Sequence, residues 1–115
     1  MRATVCELPY QPHLLEAAWV ALCAHTHSAQ SELVLLPEFA FVEPVWESLP
    51  ADPARWGDAV ALSDAWAARL PELGADWVVG ARPVTAGGQR LNEGFLWSAQ
   101  SGYAPLRRKF HLPDE

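Results

Sequence analysis

Residues 33–41 read LVLLPEFAF. Leu33, Val34, Leu35 and Leu36 make a short unbroken apolar run, the pattern of a strand covered on both faces. Pro37 has no backbone N–H to give a ladder, so it predicts the end of that strand. Glu38 follows at once, which sets a carboxylate at the carboxyl end of a core strand. Open α/β sheets collect their functional groups along that edge. A glutamate after a proline also reads as an ordinary solvated loop residue, and the motif alone does not choose between the two.

Working upstream, residues 2–8 (RATVCEL) predict a first strand with Ala3, Val5 and Leu8 as core positions, closed by Pro9. Pro12 suits the first position of a helix over about 12–30, with Leu15, Ala18, Trp19 and Leu22 as its buried stripe. Downstream, residues 39–55 carry prolines and no clear period. They read as an irregular loop whose Phe39, Phe41, Val45 and Trp46 are unusually apolar for solvent. A second helix follows over about 55–70, with Ala59, Leu62, Trp66 and Leu70 as its stripe and Pro71 and Gly74 as its stop. Residues 77–81 predict a third strand, Gly87-Gly88 a turn, 91–97 a fourth strand, and 103–109 a fifth after Ser101-Gly102. The order is β-α-β-α-β-β-β. Its early β-α-β units imply parallel strands and its late hairpins antiparallel ones, so the expected fold class is α/β with a mixed sheet.

Composition excludes several functions. At 115 residues the chain holds one domain or part of one, and six tryptophans with 50% hydrophobic residues favour a packed core over disorder. A net charge of −6 fits neither nucleic acid nor an anionic membrane. No apolar run is long enough to span a bilayer, and MRATVCELPY lacks the apolar region of a secretory signal. Cys6 and Cys23 make no disulfide framework. Both read as small buried hydrophobes in a cytoplasmic protein.

Lys109 is the only lysine among eight Lys and Arg side chains. Such a residue reads as surface charge beside Arg107 and Arg108, or as a site that needs a compact ammonium rather than a guanidinium fork. It lies at the end of the fifth predicted strand, as Glu38 lies at the end of the second. A carboxylate and an ammonium on one sheet edge suit acyl chemistry: the first takes a proton from a nucleophile, the second meets negative charge growing on a carbonyl oxygen. An ion pair tying two loops together is the structural alternative.

Three segments together are more specific. RATVCELP with its following helix, LVLLPEF, and RRKFHLPDE, joined by LNEGFLWSAQSGYAPLRRK, resemble in order and spacing the N-terminal part of the nitrilase superfamily, the carbon–nitrogen hydrolases. The resemblance covers essentially the whole chain. It implies the N-terminal half of a four-layer αββα sandwich, with residues 1–115 as a portion of a single hydrolase domain and the chain a fragment of a larger enzyme. It implies that Glu38 is the general base and Lys109 the stabiliser of the tetrahedral intermediate. The nucleophilic cysteine of the family would lie beyond residue 115, since neither Cys6 nor Cys23 matches its motif. The substrate would be a small amide or N-carbamoyl compound, with no metal or organic cofactor and with homo-oligomers in the complete enzyme. The 115 residues alone are expected to be inactive. A rival expectation is a non-catalytic module that survives by pairing with another subunit.

Other residues have weaker claims. Phe39 and Phe41 line the acyl pocket or pack in the core, and His111 fixes a loop or orients the pocket. Trp46 and Trp56 read as core in preference to pocket wall. His25 and His27 stand two apart on a helix and face different ways, so they do not chelate together. Asn92 and Glu93 read as turn caps or as residues that order the lysine strand. Glu115 does not align securely with the family's second glutamate.

Overall fold

The structure is a computed structural model that describes residues 1–38, 40–41 and 53–110, with backbone alone at 53, 109 and 110. Five strands form one sheet in the order of the chain: β1 (Ala3–Val5), β2 (Leu33–Glu38), β3 (Trp77–Ala86), β4 (Gln89–Ser98) and β5 (Gly102–Phe110). β1, β2 and β3 run parallel, and β3, β4 and β5 antiparallel. Two helices, α1 (Pro12–Ala29) and α2 (Pro53–Ala67), make the crossovers, and a 3₁₀ turn (Leu70–Leu73) leads into β3. The mixed α/β sheet is the one expected from the sequence. Among the described residues no helix is long and apolar enough to cross a membrane.

The core lies between the helices and one face of the sheet. Leu15, Trp19 and Leu22 of α1, Trp56, Ala59 and Trp66 of α2, and Val34, Val78 and Phe95 of the sheet are all buried there. Phe41 stacks on Trp66, with ring centroids 5.4 Å apart, and meets Trp19 edge-on at 5.8 Å. Arg69 seals the helix side of this aromatic cluster. Its guanidinium lies 4.5 Å from the Trp66 ring and bonds Glu16 of α1 and Glu72 of the 3₁₀ turn. Hydrogen bonds from Arg69 hold both carboxyls below the usual glutamate range.

Four sequence expectations shift. In β1 the buried residue is Thr4, while Ala3 and Val5 point away from the core. Thr4 Oγ1 and Ser31 Oγ hydrogen-bond at 2.5 Å, so the buried hydroxyl is satisfied. In α2 the inner arc is Trp56, Ala59, Ser63 and Trp66, and Leu62 lies on its outer flank. β3 runs five residues further than expected, because Gly87 and Gly88 (φ +59° and +74°) close a two-residue hairpin that pairs it with β4 along its whole length. Finally, Pro37 does not end β2; the strand continues to Glu38 through an irregularity.

Candidate functional site

That irregularity decides where Glu38 points. Leu35 pairs with Val79 and Glu38 with Ala81, so β2 takes three steps where β3 takes two. One extra residue in a strand is a bulge, and Pro37, which has no N–H to donate, sits inside it. Val34 and Leu36 pack towards the helices. In a regular strand Glu38 would share their face. The bulge reverses the alternation and delivers its carboxylate to the opposite face, which the helices leave open.

On that face Glu38 meets β4. Leu91, Glu93 and Phe95 are buried on the helix side, so Asn92 between them belongs to the open side. Asn92 Nδ2 donates to Glu38 Oε1 at 2.5 Å. Across the β4–β5 ladder Asn92 stands opposite Lys109, and Gly94 opposite Arg107. A cavity of about 320 Å³ opens here, lined by Ala81, Asn92, Gly94 and Arg107. The sheet thus carries a carboxylate on β2, a neutral amide on β4 that reaches it across β3, and two basic positions on β5. A proton acceptor beside cationic groups can serve acyl transfer or bind a polar small molecule.

A second polar cluster lies directly behind this row, on the helix side. The Glu93 side chain is 3% exposed, yet it accepts hydrogen bonds from Tyr103 Oη and, at 2.7 Å, from Arg108 Nε. Arg82 Nε donates to Tyr103 Oη at 2.9 Å, and its other arm pairs with Asp64 of α2. Burial and the bond to Glu93 push the Tyr103 hydroxyl up to about 12. The cluster ties β3, β4, β5 and α2 together beneath the strand positions that carry Asn92 and Lys109.

Of the residues singled out in the sequence, Glu38 lies on β2 and the backbone position of Lys109 on β5, with β3 and β4 between them in the same sheet. Phe41 is spent on the core between Trp19 and Trp66, the packing alternative of its two readings. Phe39, Trp46, His111 and Glu115 lie outside the described residues. Trp56 is buried and donates to Thr85 Oγ1. Cys6 and Cys23 are half-buried free thiols, each pushed up by burial, with Glu72 adding to the shift at Cys23. His27 bonds the Glu72 carbonyl, and the hydroxyl of Thr26 next to it donates to the Leu73 carbonyl. The Glu93 cluster escaped sequence reasoning, although the alternation Leu91, Glu93, Phe95 marks Glu93 as an inward position.

No protein-family model matches the sequence, and no curated protein does. Solved structures do. A carbon–nitrogen hydrolase from Helicobacter pylori G27 superposes with a TM-score of 0.70 at 19% identity, over 99% of this chain and 41% of that one. A variant of the Nesterenkonia AN1 amidase from the nitrilase superfamily gives 0.65 at 17% identity, over 96% and 42%. Another variant of that amidase, in which acrylamide has added to the active-site cysteine, gives 0.62 at 18%, over 97% and 44%. This chain therefore spans about two fifths of the length of these enzymes. Over that length its fold is the fold of the carbon–nitrogen hydrolases of the nitrilase superfamily.

Proposed function

We propose that this chain is part of a carbon–nitrogen hydrolase that cleaves a non-peptide C–N bond in a small amide or N-carbamoyl compound. Glu38 is the general base, Lys109 stabilises the tetrahedral intermediate, and the nucleophile is a cysteine beyond residue 115. The observation that carries this reading is the β2 bulge. It turns Glu38 onto the open face, into hydrogen-bond contact with the residue that stands opposite Lys109. The solved hydrolases and amidases of this fold support the reaction class.

In this scheme Glu38 takes the proton of the thiol, and the thiolate attacks the carbonyl carbon. The oxyanion that forms is met by the Lys109 ammonium. The C–N bond then breaks, the leaving amine carries off the proton held by Glu38, and an acyl thioester remains. Water, deprotonated by Glu38, attacks the thioester, and a second tetrahedral intermediate collapses to the acid and free thiol. Cys6 and Cys23 are unsuited to the nucleophile's part, because both pack against the core on the helix side of the sheet and Glu38 is turned to the other face.

The test uses the full-length protein and a panel of small amides and N-carbamoyl compounds, with ammonia release as readout. Glu38→Gln and Lys109→Arg are each expected to lower kcat by about 10²–10⁴ with little change in Tm. Gln keeps an oxygen for Asn92 Nδ2, and Arg keeps the charge but loses the compact ammonium. Wild-type turnover in either variant removes that residue from the mechanism.

A further inference from the structure

The pairing of four strands lays one row across the open face. Glu38 of β2 pairs with Ala81, Ala81 with Gly94, and Gly94 with Arg107 of β5. Strands lie about 4.8 Å apart, so three spacings set the backbones of Glu38 and Arg107 about 14 Å from each other. Between them stand only a methyl group and a hydrogen atom. The row is therefore a trough, with a carboxylate at one end, a guanidinium at the other and a floor of Ala81 and Gly94. Asn92, bonded to Glu38, walls it, and the cavity of about 320 Å³ opens over it. That volume falls within the range of small-molecule sites, about 300–1,000 Å³.

Two features mark the trough as a binding site. The first is Arg107. Arg69, Arg82 and Arg108 each pair with a carboxylate, whereas Arg107 makes no ion pair among the described residues. Strand alternation is the cause. Arg108 turns to the helix side and takes Glu93, which leaves Arg107 on the open side, where the carboxylate of its row stands three strands away. The second is Gly94. A Cβ there would meet nothing closer than the Arg107 carbonyl oxygen at 3.8 Å, an ordinary contact, and its backbone lies outside the left-handed region. Neither packing nor conformation demands a glycine at this position, in contrast to Gly80. Its bare hydrogen leaves room over the floor of the trough.

We propose that Arg107 is a specificity-determining residue, and that the substrate is an amide or N-carbamoyl compound carrying a carboxylate, which the guanidinium takes while the scissile group lies at the Glu38 end. The proposal rests on the role given to Glu38 above and names the substrate class of that reading. A guanidinium fork matches a carboxylate with two parallel N–H···O bonds. It holds the acid end away from Glu38, so the two carboxylates do not repel at close range, and it orients the C–N bond along the trough. A neutral amide of the same length leaves the guanidinium facing an apolar group.

The test uses the full-length protein and matched pairs of substrates. Succinamate and N-carbamoylglycine are each set beside a neutral counterpart with an isopropyl group in place of the carboxylate, and ammonia release gives kcat/KM. The wild type is expected to favour each acid over its counterpart by about 10–100-fold, the scale of a charge-assisted pair. Arg107→Leu is expected to bring that ratio to about one, with the loss carried by KM. Arg107→Lys is expected to keep part of the ratio, since an ammonium holds the charge without the fork. Arg107 is exposed, so neither substitution disturbs the core. A wild type with no preference for the acids, or a preference that survives Arg107→Leu unchanged, overturns the proposal. If the wild type hydrolyses no amide or carbamoyl compound, the functional reading fails, and calorimetry still decides the anion site. Succinamate binding at least about tenfold weaker in Arg107→Leu than in wild type supports the site; equal binding to both proteins, or none to either, overturns it.

Discussion

Tyr103 shows how single residues set the background on which the candidate site stands. Its hydroxyl donates to a buried carboxylate, accepts from Arg82, and lies in a ring that stacks on Phe95 at 5.0 Å. Ionising that hydroxyl would turn its bond to Glu93 into a contact between two anions. Burial and this bond therefore raise it from 10.0 to about 12. A group raised in the folded state holds its proton longer there than in the unfolded chain, so its contribution to stability is complete below pH 10 and is lost as pH climbs towards 12. The expected outcome in a Tyr10→Phe background is a single tyrosinate absorbance transition centred near pH 12. Melting temperatures should fall across the same range, and Tyr103→Phe should flatten that fall. A transition at pH 10 would show that the hydroxyl does not donate to Glu93. Pro37 and Glu38 make the complementary case at this scale. There one residue without an N–H and one extra step of chain send a carboxylate to the other side of a sheet.

At the scale of elements, the close contact of β3 with β4 depends on Gly80. A Cβ at this position would meet the Phe95 ring at 2.8 Å and Leu36 at 3.4 Å. Phe95 is 1% exposed and stacked on Tyr103, so its ring has nowhere to retreat. Gly80→Ala is expected to destabilise the protein by about 1–3 kcal/mol through overpacking. In the double variant Gly80→Ala, Phe95→Leu the combined loss should be smaller than the sum of the single losses, measured by urea unfolding. Additive losses would mean that the methyl group is accommodated elsewhere. The elements themselves were legible in the sequence, because glycines mark the turns around β3, β4 and β5 and the helices carry a clear apolar period. Which face each residue takes was less so. Thr4 was passed over for Ala3 and Val5 because its partner Ser31 lies on another element. Leu62 misled because a helix arc is set by its largest side chains, here Trp56 and Trp66, and Leu62 falls on the flank of that arc. Glu38 was legible as a strand-end carboxylate, but the bulge that aims it depends on pairing with β3, which one segment of sequence cannot display. The Glu93 cluster stayed hidden because its members come from three strands.

Among the described residues the sheet is covered on one side only. Both helices lie on one face of the sheet, and across the other the register aligns Ala3 with Leu33 and Trp77, Val5 with Leu35 and Val79, and Val79 with Leu96. Val5 is 76% exposed and Trp77 37%. An apolar stripe crossing four strands is a surface that aqueous proteins normally bury against another layer. The candidate site stands at the end of this same face, so whatever covers the stripe also walls the cavity beside Asn92 and Arg107. Residues 1–115 prepared alone should therefore associate as their concentration rises, seen in sedimentation velocity as a growing weight-average coefficient. Val5→Lys with Trp77→Lys should suppress that association, because both side chains already reach solvent and charges there oppose face-to-face packing. A wild-type chain that stays monomeric over a hundredfold range of concentration would show that the stripe needs no cover. The sheet would then be complete as it stands, and the case for a second layer completing the site would be lost.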